Sequence, residues 1–313
     1  MSSILPIKVL SVNISEKKGT IKKPVPSIHL NEFGVETDAH AGSWHRQVSL
    51  LGIESIRKFA DQAKREVAFG EFAENISTEG IVLYELAPLD RLKVGETELE
   101  VTQIGKKCHG TGCAIYNEVG NCVMPKEGIF ARVLKDGDVK SGDTIVLQRK
   151  KFKVMVITLS DRASRGEYDD LSGPAIIRHL DTFFSDNRWL CEIDYQLIPD
   201  DTDKLKALLT IAGTKHFDMV FTTGGTGIGP HDNTPEVAKL FIDKEIPGIM
   251  EAIRMKFGVE KPNALLSRGV AGLMGETFVY VLPGSVKAIS EYMGEIMKTL
   301  RHLVFMHKGI DVH

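Results

Sequence analysis

Apolar runs and amphipathic stretches alternate through the second half of the chain. Val154 to Leu159 is almost continuously apolar and predicts a buried strand. Ser172 and Gly173-Pro174 open a helix through Leu180, with proline in the permissive first turn. Ile193 to Ile198 predicts a strand, Asp201 or Thr202 caps a helix through Ile211, and Met219 to Thr222 predicts a strand that runs into glycine-rich sequence. Thr234-Pro235-Glu236 starts another helix, and Ile246 to Phe257 a further one. Phe278 to Leu282 predicts a strand. Apolar residues at 286, 289, 293, 296, 300 and 303 define a long last helix, Val286 to Val304. Strands alternating with helices predict an α/β unit with a parallel sheet covered on both faces, where ligands sit beyond the carboxyl ends of the strands.

The first half follows a different pattern. Pro6 to Val12, Val48 to Leu51, Ile81 to Leu83, Thr97 to Ile104 and Thr144 to Leu147 are short and rich in β-branched or alternating residues. Asp136-Gly137 and Gly142-Asp143 mark turns, and Ile53 to Ala68 is the best helical stretch. The expectation is a β-rich barrel with one or two helices. The segment Gln148-Arg149-Lys150-Lys151-Phe152-Lys153 reads as a polar linker, dividing the chain into residues 1–150 and 151–313.

A length of 313 residues fits two domains. The net charge is −3 and neither half has a basic surplus, which argues against a dedicated nucleic-acid binder. No apolar run approaches a membrane span, and Met1 to Leu10 lacks a basic flank followed by a long apolar stretch. A soluble cytoplasmic protein that meets neither membrane nor nucleic acid is expected. Four cysteines are too few for a disulfide framework, although Cys108, Cys113 and Cys122 lie within 15 residues.

Four strand ends in the second half carry unusual chemistry. They are Ser160-Asp161-Arg162, Pro199-Asp200-Asp201, Thr222-Thr223-Gly224-Gly225-Thr226-Gly227 followed by Asp232, and Leu282-Pro283-Gly284-Ser285. The glycines of the third let the backbone turn sharply, so that its amides and hydroxyls form a nest for an anion. No Gly-Lys-Ser/Thr follows, so this is not a Walker loop, and the glycine spacing is not the dinucleotide fingerprint. Asp200 and Asp232 beside such a loop suit magnesium, which takes one or two carboxylates plus substrate phosphates. Each also suits ordinary capping or turn formation. Ser160, Arg162 and Ser285 are candidate anion donors.

These motifs, together with Ile246-Pro247-Gly248 and Leu266-Ser267-Arg268, resemble in order and spacing the MogA/MoaB group of molybdopterin adenylyltransferases. The resemblance covers nearly all of the second half. It implies a three-layer α/β sandwich with a mostly parallel sheet. It also implies a reaction in which Mg-ATP adenylylates molybdopterin and releases pyrophosphate. The family's catalytic aspartates fall on Asp200 and Asp232, which are also the residues expected to hold Mg2+. Ser160, Asp161, Arg162, Thr223 to Gly227, Ser267, Arg268, Pro283, Gly284 and Ser285 are the expected nucleotide and pterin contacts. Family members are commonly trimers or hexamers, which implies a homo-oligomer. A non-catalytic carrier of molybdopterin is the alternative reading.

The first half resembles the MOSC domain through Gly34 to His40, Ala41-Gly42, His45-Arg46-Gln47-Val48-Ser49, Phe72-Ala73-Glu74-Asn75, Val101 to Ile104 leading to Cys108, and Gly128 to Val133. That resemblance implies a barrel that binds or carries molybdenum cofactor, with Cys108 as sulfur carrier or metal ligand. His40, His45 and Arg132 are expected nearby, and other proteins of the cofactor pathway are possible partners. From the residues alone, Cys108-His109, Cys113 and Cys122 match no paired zinc pattern. A molybdenum thiolate, a persulfide carrier, a zinc or iron–sulfur site, or small buried hydrophobes all remain open readings. Lys106 and Lys107 supply the positive neighbours that a nucleophilic thiol wants. Arg132 fits either a cofactor phosphate or a salt bridge, and Cys191 is expected in the core.

Overall fold

The computed structural model describes residues 6–107 and 122–311 and divides the chain into two compact units. One unit runs to Lys150 and takes in the chain again from Lys308; the other is Lys151–His307. Lys308–Asp311 thus groups with the first unit.

The first unit contains β1 (Ile7–Ile14), β2 (Lys23–Val25), β3 (Ser27–Asn31), β4 (Gly34–Val35), β5 (Val48–Gly52), α1 (Ile53–Ala63), β6 (Ile76–Glu79), β7 (Arg91–Val94) and β8 (Thr97–Ile104). After them come α2 (Met124–Glu127), β9 (Ile129–Lys135), β10 (Gly137–Lys140) and β11 (Thr144–Gln148). Seven strands in the order β11-β7-β8-β9-β5-β6-β1 close into a barrel, because β1 also pairs with β11 through Ile7 opposite Ile145. β2 is hydrogen-bonded to β1, and β10-β3-β4 form a small separate sheet. Val9, Val12, Leu30, Leu50, Ile76, Leu92, Leu99 and Ile129 belong to its buried core.

Three expectations for this unit are corrected. Ile81 to Leu83 is not a strand: Leu83–Glu85 forms a 3-10 turn whose Leu83 packs into the core, and the strand lies earlier, at Ile76–Glu79. Its polar residues concealed it, since Ser77 and Thr78 are fully buried and Ser77 donates to Glu74 Oε1 at 2.9 Å. Helix α1 stops at Ala63 and not at Ala68, because Lys64 turns left-handed (φ 52°) and its amide closes back on Ala60. The polar segment 148–153 is mostly exposed, as its charge predicts, but it is not a free linker, because Gln148 ends one strand and Lys151 begins the next. The buried carboxylate of Asp90 accepts the Lys150 amide at 2.8 Å and pairs with Arg149 at 2.9 Å, while Phe152 is already inside the second unit's first strand.

The second unit runs β12 (Lys151–Leu159), α3 (Asp161–Ser164), α4 (Ser172–Asp186), β13 (Leu190–Ile198), α5 (Thr202–Thr214), β14 (Met219–Thr223), α6 (Thr234–Lys239), β15 (Lys244–Glu245), α7 (Pro247–Gly258), β16 (Val270–Met274), β17 (Thr277–Leu282) and α8 (Val286–His307). The sheet order is β13-β12-β14-β17-β16-β15. The four strands from β13 to β17 pair in parallel, whereas β16 and β15 add antiparallel pairings at one edge, so the sheet is mixed. β16 escapes the sequence pattern because it joins β17 through a tight hairpin, with Gly275 at φ 56°. The central strands are buried on both faces. Met155, Ile157 and Val220 pack with Leu205 and Leu209 of α5, while α8 buries Ile289, Met293, Ile296 and Leu300 at helical spacing. The parallel pairing brings the carboxyl ends of β13, β12, β14 and β17 to the same edge of the sheet.

Candidate functional site

The strand ends interlock. Asp161 and Asp200, at the ends of the adjacent strands β12 and β13, exchange a reciprocal pair of bonds. The Asp161 amide donates to Asp200 Oδ2 and the Asp200 amide to Asp161 Oδ1, each at 3.1 Å. Asp200 is therefore oriented by its neighbour, while Asp201 caps α5 by accepting from the amides of Asp203 and Lys204. Ser160 caps α3, and its hydroxyl lies 2.9 Å from that of Tyr168; the Arg162 guanidinium sits 5.2 Å above the Tyr168 ring.

The loop after β14 needs its glycines. Gly224 has φ 103°, and a Cβ there would stand 2.3 Å from the Leu159 carbonyl oxygen. Gly225 has φ 62°, and its Cβ would stand 2.3 Å from Thr234 Oγ1. The loop is tied to the turn after β17: Thr223 Oγ1 donates to the Pro283 carbonyl at 2.9 Å, and Gly284 lies directly against Gly224. Ser285 then caps α8, accepting the Ala288 amide on its hydroxyl and the Ile289 amide on its carbonyl. Val286 and Lys287 stand in the first turn of a 22-residue helix, where backbone amides have no intrahelical partner and the end is electropositive. The glycine loop and the start of α8 thus adjoin each other on an edge that also carries Asp200, with the Gly224 amide itself taken by the Leu282 carbonyl at 3.2 Å.

Asp232 closes its own loop. Its Oδ2 accepts the Gly229 amide at 2.9 Å, which leaves Oδ1 available, and the Asp232 amide donates to the Gly229 carbonyl. Arg268 is committed to this loop: Nε donates to the Gly227 carbonyl at 2.7 Å, Nη2 to the Asp232 carbonyl, and Nη1 pairs with Glu236. Ser267 Oγ is buried with no hydrogen-bond partner.

No group of three His, Cys, Asp or Glu side chains that could hold a metal ion occurs among the described residues. Asp200 and Asp232 each keep one carboxylate oxygen out of the bonds described, and Asp200 Oδ2 and Asp232 Oδ2 accept only backbone amides. That donor set suits a divalent ion that arrives with phosphate ligands, and it does not form an all-protein cage.

Sequence reading missed Asp170. Its carboxylate accepts from the amides of Ser172 and Gly173, from Thr158 Oγ1 at 2.8 Å and from Tyr195 Oη at 2.6 Å. Ser172 Oγ in turn donates to the Gly284 carbonyl at 2.7 Å. An aspartate two residues ahead of Ser172-Gly173-Pro174 is a helix-start signal that could have exposed it. Burial, with the Asp170 hydrogen bond adding to it, pushes the Tyr195 phenol up to about 12.

In the first unit, Cys108, His109 and Cys113 lie outside the described residues. Cys122 packs against the apolar cluster of Phe59 and Phe72. His40 lies beside Asp38, its Nδ1 3.3 Å from Oδ1; Asp38 also accepts the Ser15 amide and holds the buried Lys22 ammonium at 2.5 Å. Sequence reading missed this Lys22–Asp38 pair. His45 has a buried Nδ1 with no partner, and burial, with Arg46 and Arg132 nearby, pushes its pKa down. Arg132 gives two donors to Glu100 Oε1, at 3.0 and 2.7 Å, and a third to the Lys308 carbonyl at 2.9 Å, which is its salt-bridge reading. Cys191 is half-buried at the sheet edge, where burial pushes its thiol up to about 12.

Comparison with known proteins places both units. A family profile described as "Probable molybdopterin binding domain" matches residues 155–302, and one described as "MOSC domain" matches residues 37–146. The chain is 36% identical over 155 residues to a molybdopterin adenylyltransferase of Helicobacter pylori, covering 49% of this chain and 86% of that protein. It is 36% identical over 160 residues to one of Pyrococcus furiosus, covering 50% of this chain and 90% of that protein. Gephyrin of Dictyostelium discoideum is 33% identical over 166 residues, which are 50% of this chain but only 23% of gephyrin's own length. Among solved structures, the molybdopterin biosynthesis enzyme MoaB of Thermus thermophilus is 34% identical, covering 50% of this chain and 97% of that one at a TM-score of 0.45. Through its second unit the chain belongs to the MogA/MoaB family of molybdopterin adenylyltransferases, and it carries a MOSC domain ahead of that unit.

Proposed function

We propose that the second unit adenylylates molybdopterin at the expense of Mg-ATP. The terminal phosphate of the pterin attacks the α-phosphorus of ATP in line. A phosphorus–oxygen bond forms to the pterin phosphate, the bond between the α-phosphorus and its bridging oxygen breaks, and pyrophosphate leaves. Little proton movement is needed, so positioning and charge neutralisation carry the rate. The observation that carries this reading is the abutment of the Gly224 loop on the Gly284 turn, which joins a glycine-lined nest to the first turn of α8. Those amides suit phosphate oxygens. Asp200 and Asp232 offer carboxylate oxygens to the magnesium that accompanies ATP, which supplies charge neutralisation on the triphosphate. Asp161 orients Asp200, and Ser160, Arg162 and Ser285 supply further donors on the same edge.

The same reading gives the unit a three-layer architecture, working as a trimer or hexamer in the cytoplasm beside other proteins of the pathway. It makes the barrel a binder or carrier of cofactor or sulfur. Pyrophosphate release from ATP and molybdopterin, with and without magnesium, tests the catalytic claim. Release that needs both substrates and the metal supports it. Binding of molybdopterin without any release would make the unit a carrier.

A further inference from the structure

Three of the five N–H donors of Arg268, an expected anion contact, are taken by the protein itself. Nε, Nη2 and Nη1 go to the Gly227 carbonyl, the Asp232 carbonyl and Glu236, and its own backbone amide donates to the Thr226 carbonyl at 3.2 Å. One planar guanidinium therefore ties together both ends of the segment 227–232. Within that segment a Cβ on Gly227 would stand 2.6 Å from Asp232 Oδ2. The carboxylate is thus packed flat against the loop backbone, with Oδ2 on the Gly229 amide and Oδ1 left over. Glu236, in the first turn of α6, fixes the fork from the other side.

We propose that Arg268 is a positioning residue: by closing the 227–232 loop it sets the direction in which Asp232 presents its unbonded oxygen. This rests on the reading of Asp232 as a metal-facing carboxylate. Three separate acceptors are reached by three different nitrogens of one rigid guanidinium, so lysine, a single compact donor group, does not replace it.

The test uses the full-length chain with Arg268→Lys and Arg268→Ala. Two readouts are taken: amide hydrogen exchange across residues 227–232, and the magnesium concentration that half-saturates pyrophosphate release. The expected result is faster exchange in 227–232 with β14 unchanged. Half-saturating magnesium should rise about 10–100-fold, as for loss of a group that orients a metal ligand, while KM for both substrates at saturating metal stays within about twofold. Unchanged exchange together with a raised KM for ATP or molybdopterin would make Arg268 a direct anion contact and overturn the proposal. Unchanged values in both readouts would also overturn it. A wild-type chain that releases no pyrophosphate defeats the functional reading, while hydrogen exchange still decides whether Arg268 closes the loop.

Discussion

Substituting alanine at Gly224 tests the geometry of the phosphate nest in one step. Two costs are combined there. At φ 103° an L side chain is strained, which costs about 1–3 kcal/mol. The new Cβ would also meet the Leu159 carbonyl oxygen at 2.3 Å. That oxygen belongs to the end of β12, a central strand paired on both sides, so it cannot withdraw cheaply. Overpacking of this kind adds about 1–3 kcal/mol. Gly166 is the control, since at φ 75° an added methyl would have nothing within 4 Å and should show only the conformational cost. The predicted loss is therefore about 2–6 kcal/mol for Gly224→Ala against about 1–3 for Gly166→Ala, the difference of about 1–3 kcal/mol being the overpacking against Leu159. Urea unfolding reads the difference through Trp189, which is buried in the second unit beside Phe152, in a Trp44→Phe background that leaves it the sole tryptophan. Equal losses in the two variants would refute the close approach of Gly224 to Leu159, and with it the nest.

Other consequences are as direct. Asp232→Asn keeps the acceptor for the Gly229 amide but removes the charge, so turnover should fall about 100-fold or more with little change in melting temperature, as measured by pyrophosphate release and calorimetry. Asp38→Asn leaves the buried Lys22 ammonium without its counter-charge and should cost about 3–5 kcal/mol in denaturant unfolding. Burial opposes the ionised form of Asp38, but the bonds from His40 and Lys22 outweigh it and hold its pKa below the ordinary carboxylate range. Its stabilisation is then full above about pH 4 and is lost as the pH falls through the depressed value, a loss that stability measurements should show in the wild type and not in the variant. Tyr280→Phe removes a buried hydroxyl that has no partner and should stabilise the second unit by about 1 kcal/mol; a loss of that size instead would show that the hydroxyl is satisfied.

The elements that could be read in the sequence are those whose burial matches their polarity. The apolar runs at 154–159 and 278–282 became strands, as did the more mixed segment 193–198, and the helical spacing after Val286 became α8. What escaped was stabilised by buried polar groups or by distant pairing. β6 buries Ser77 and Thr78 in the barrel; Ser77 is held by Glu74 nearby and by Asn13 far away in the sequence, and its neighbourhood of Glu74 and Asn75 reads as loop until Asn13 is known to lie beside it. β7, at Arg91–Val94, alternates charged and apolar residues over only four positions, too few to separate from a turn. Among the site residues, the glycine loop announced itself because backbone strain leaves a compositional mark. Arg268 did not announce its task, since an arginine that binds carbonyls and one that binds phosphate look the same in sequence. Asp170 was only half legible: its bonds from the Ser172 and Gly173 amides are a local helix-start pattern, but those from Thr158 and Tyr195 need the fold to bring the partners together.

The bond made by the second unit is the central claim, and isotopic labelling follows it directly. Molybdopterin is incubated with the full-length chain, magnesium and ATP labelled with 32P at either the α or the γ phosphate, and the pterin product is separated and counted. The account predicts label on the pterin only from α-labelled ATP, with γ-label recovered in pyrophosphate. Label on the pterin from γ-labelled ATP, or none from either, would contradict it.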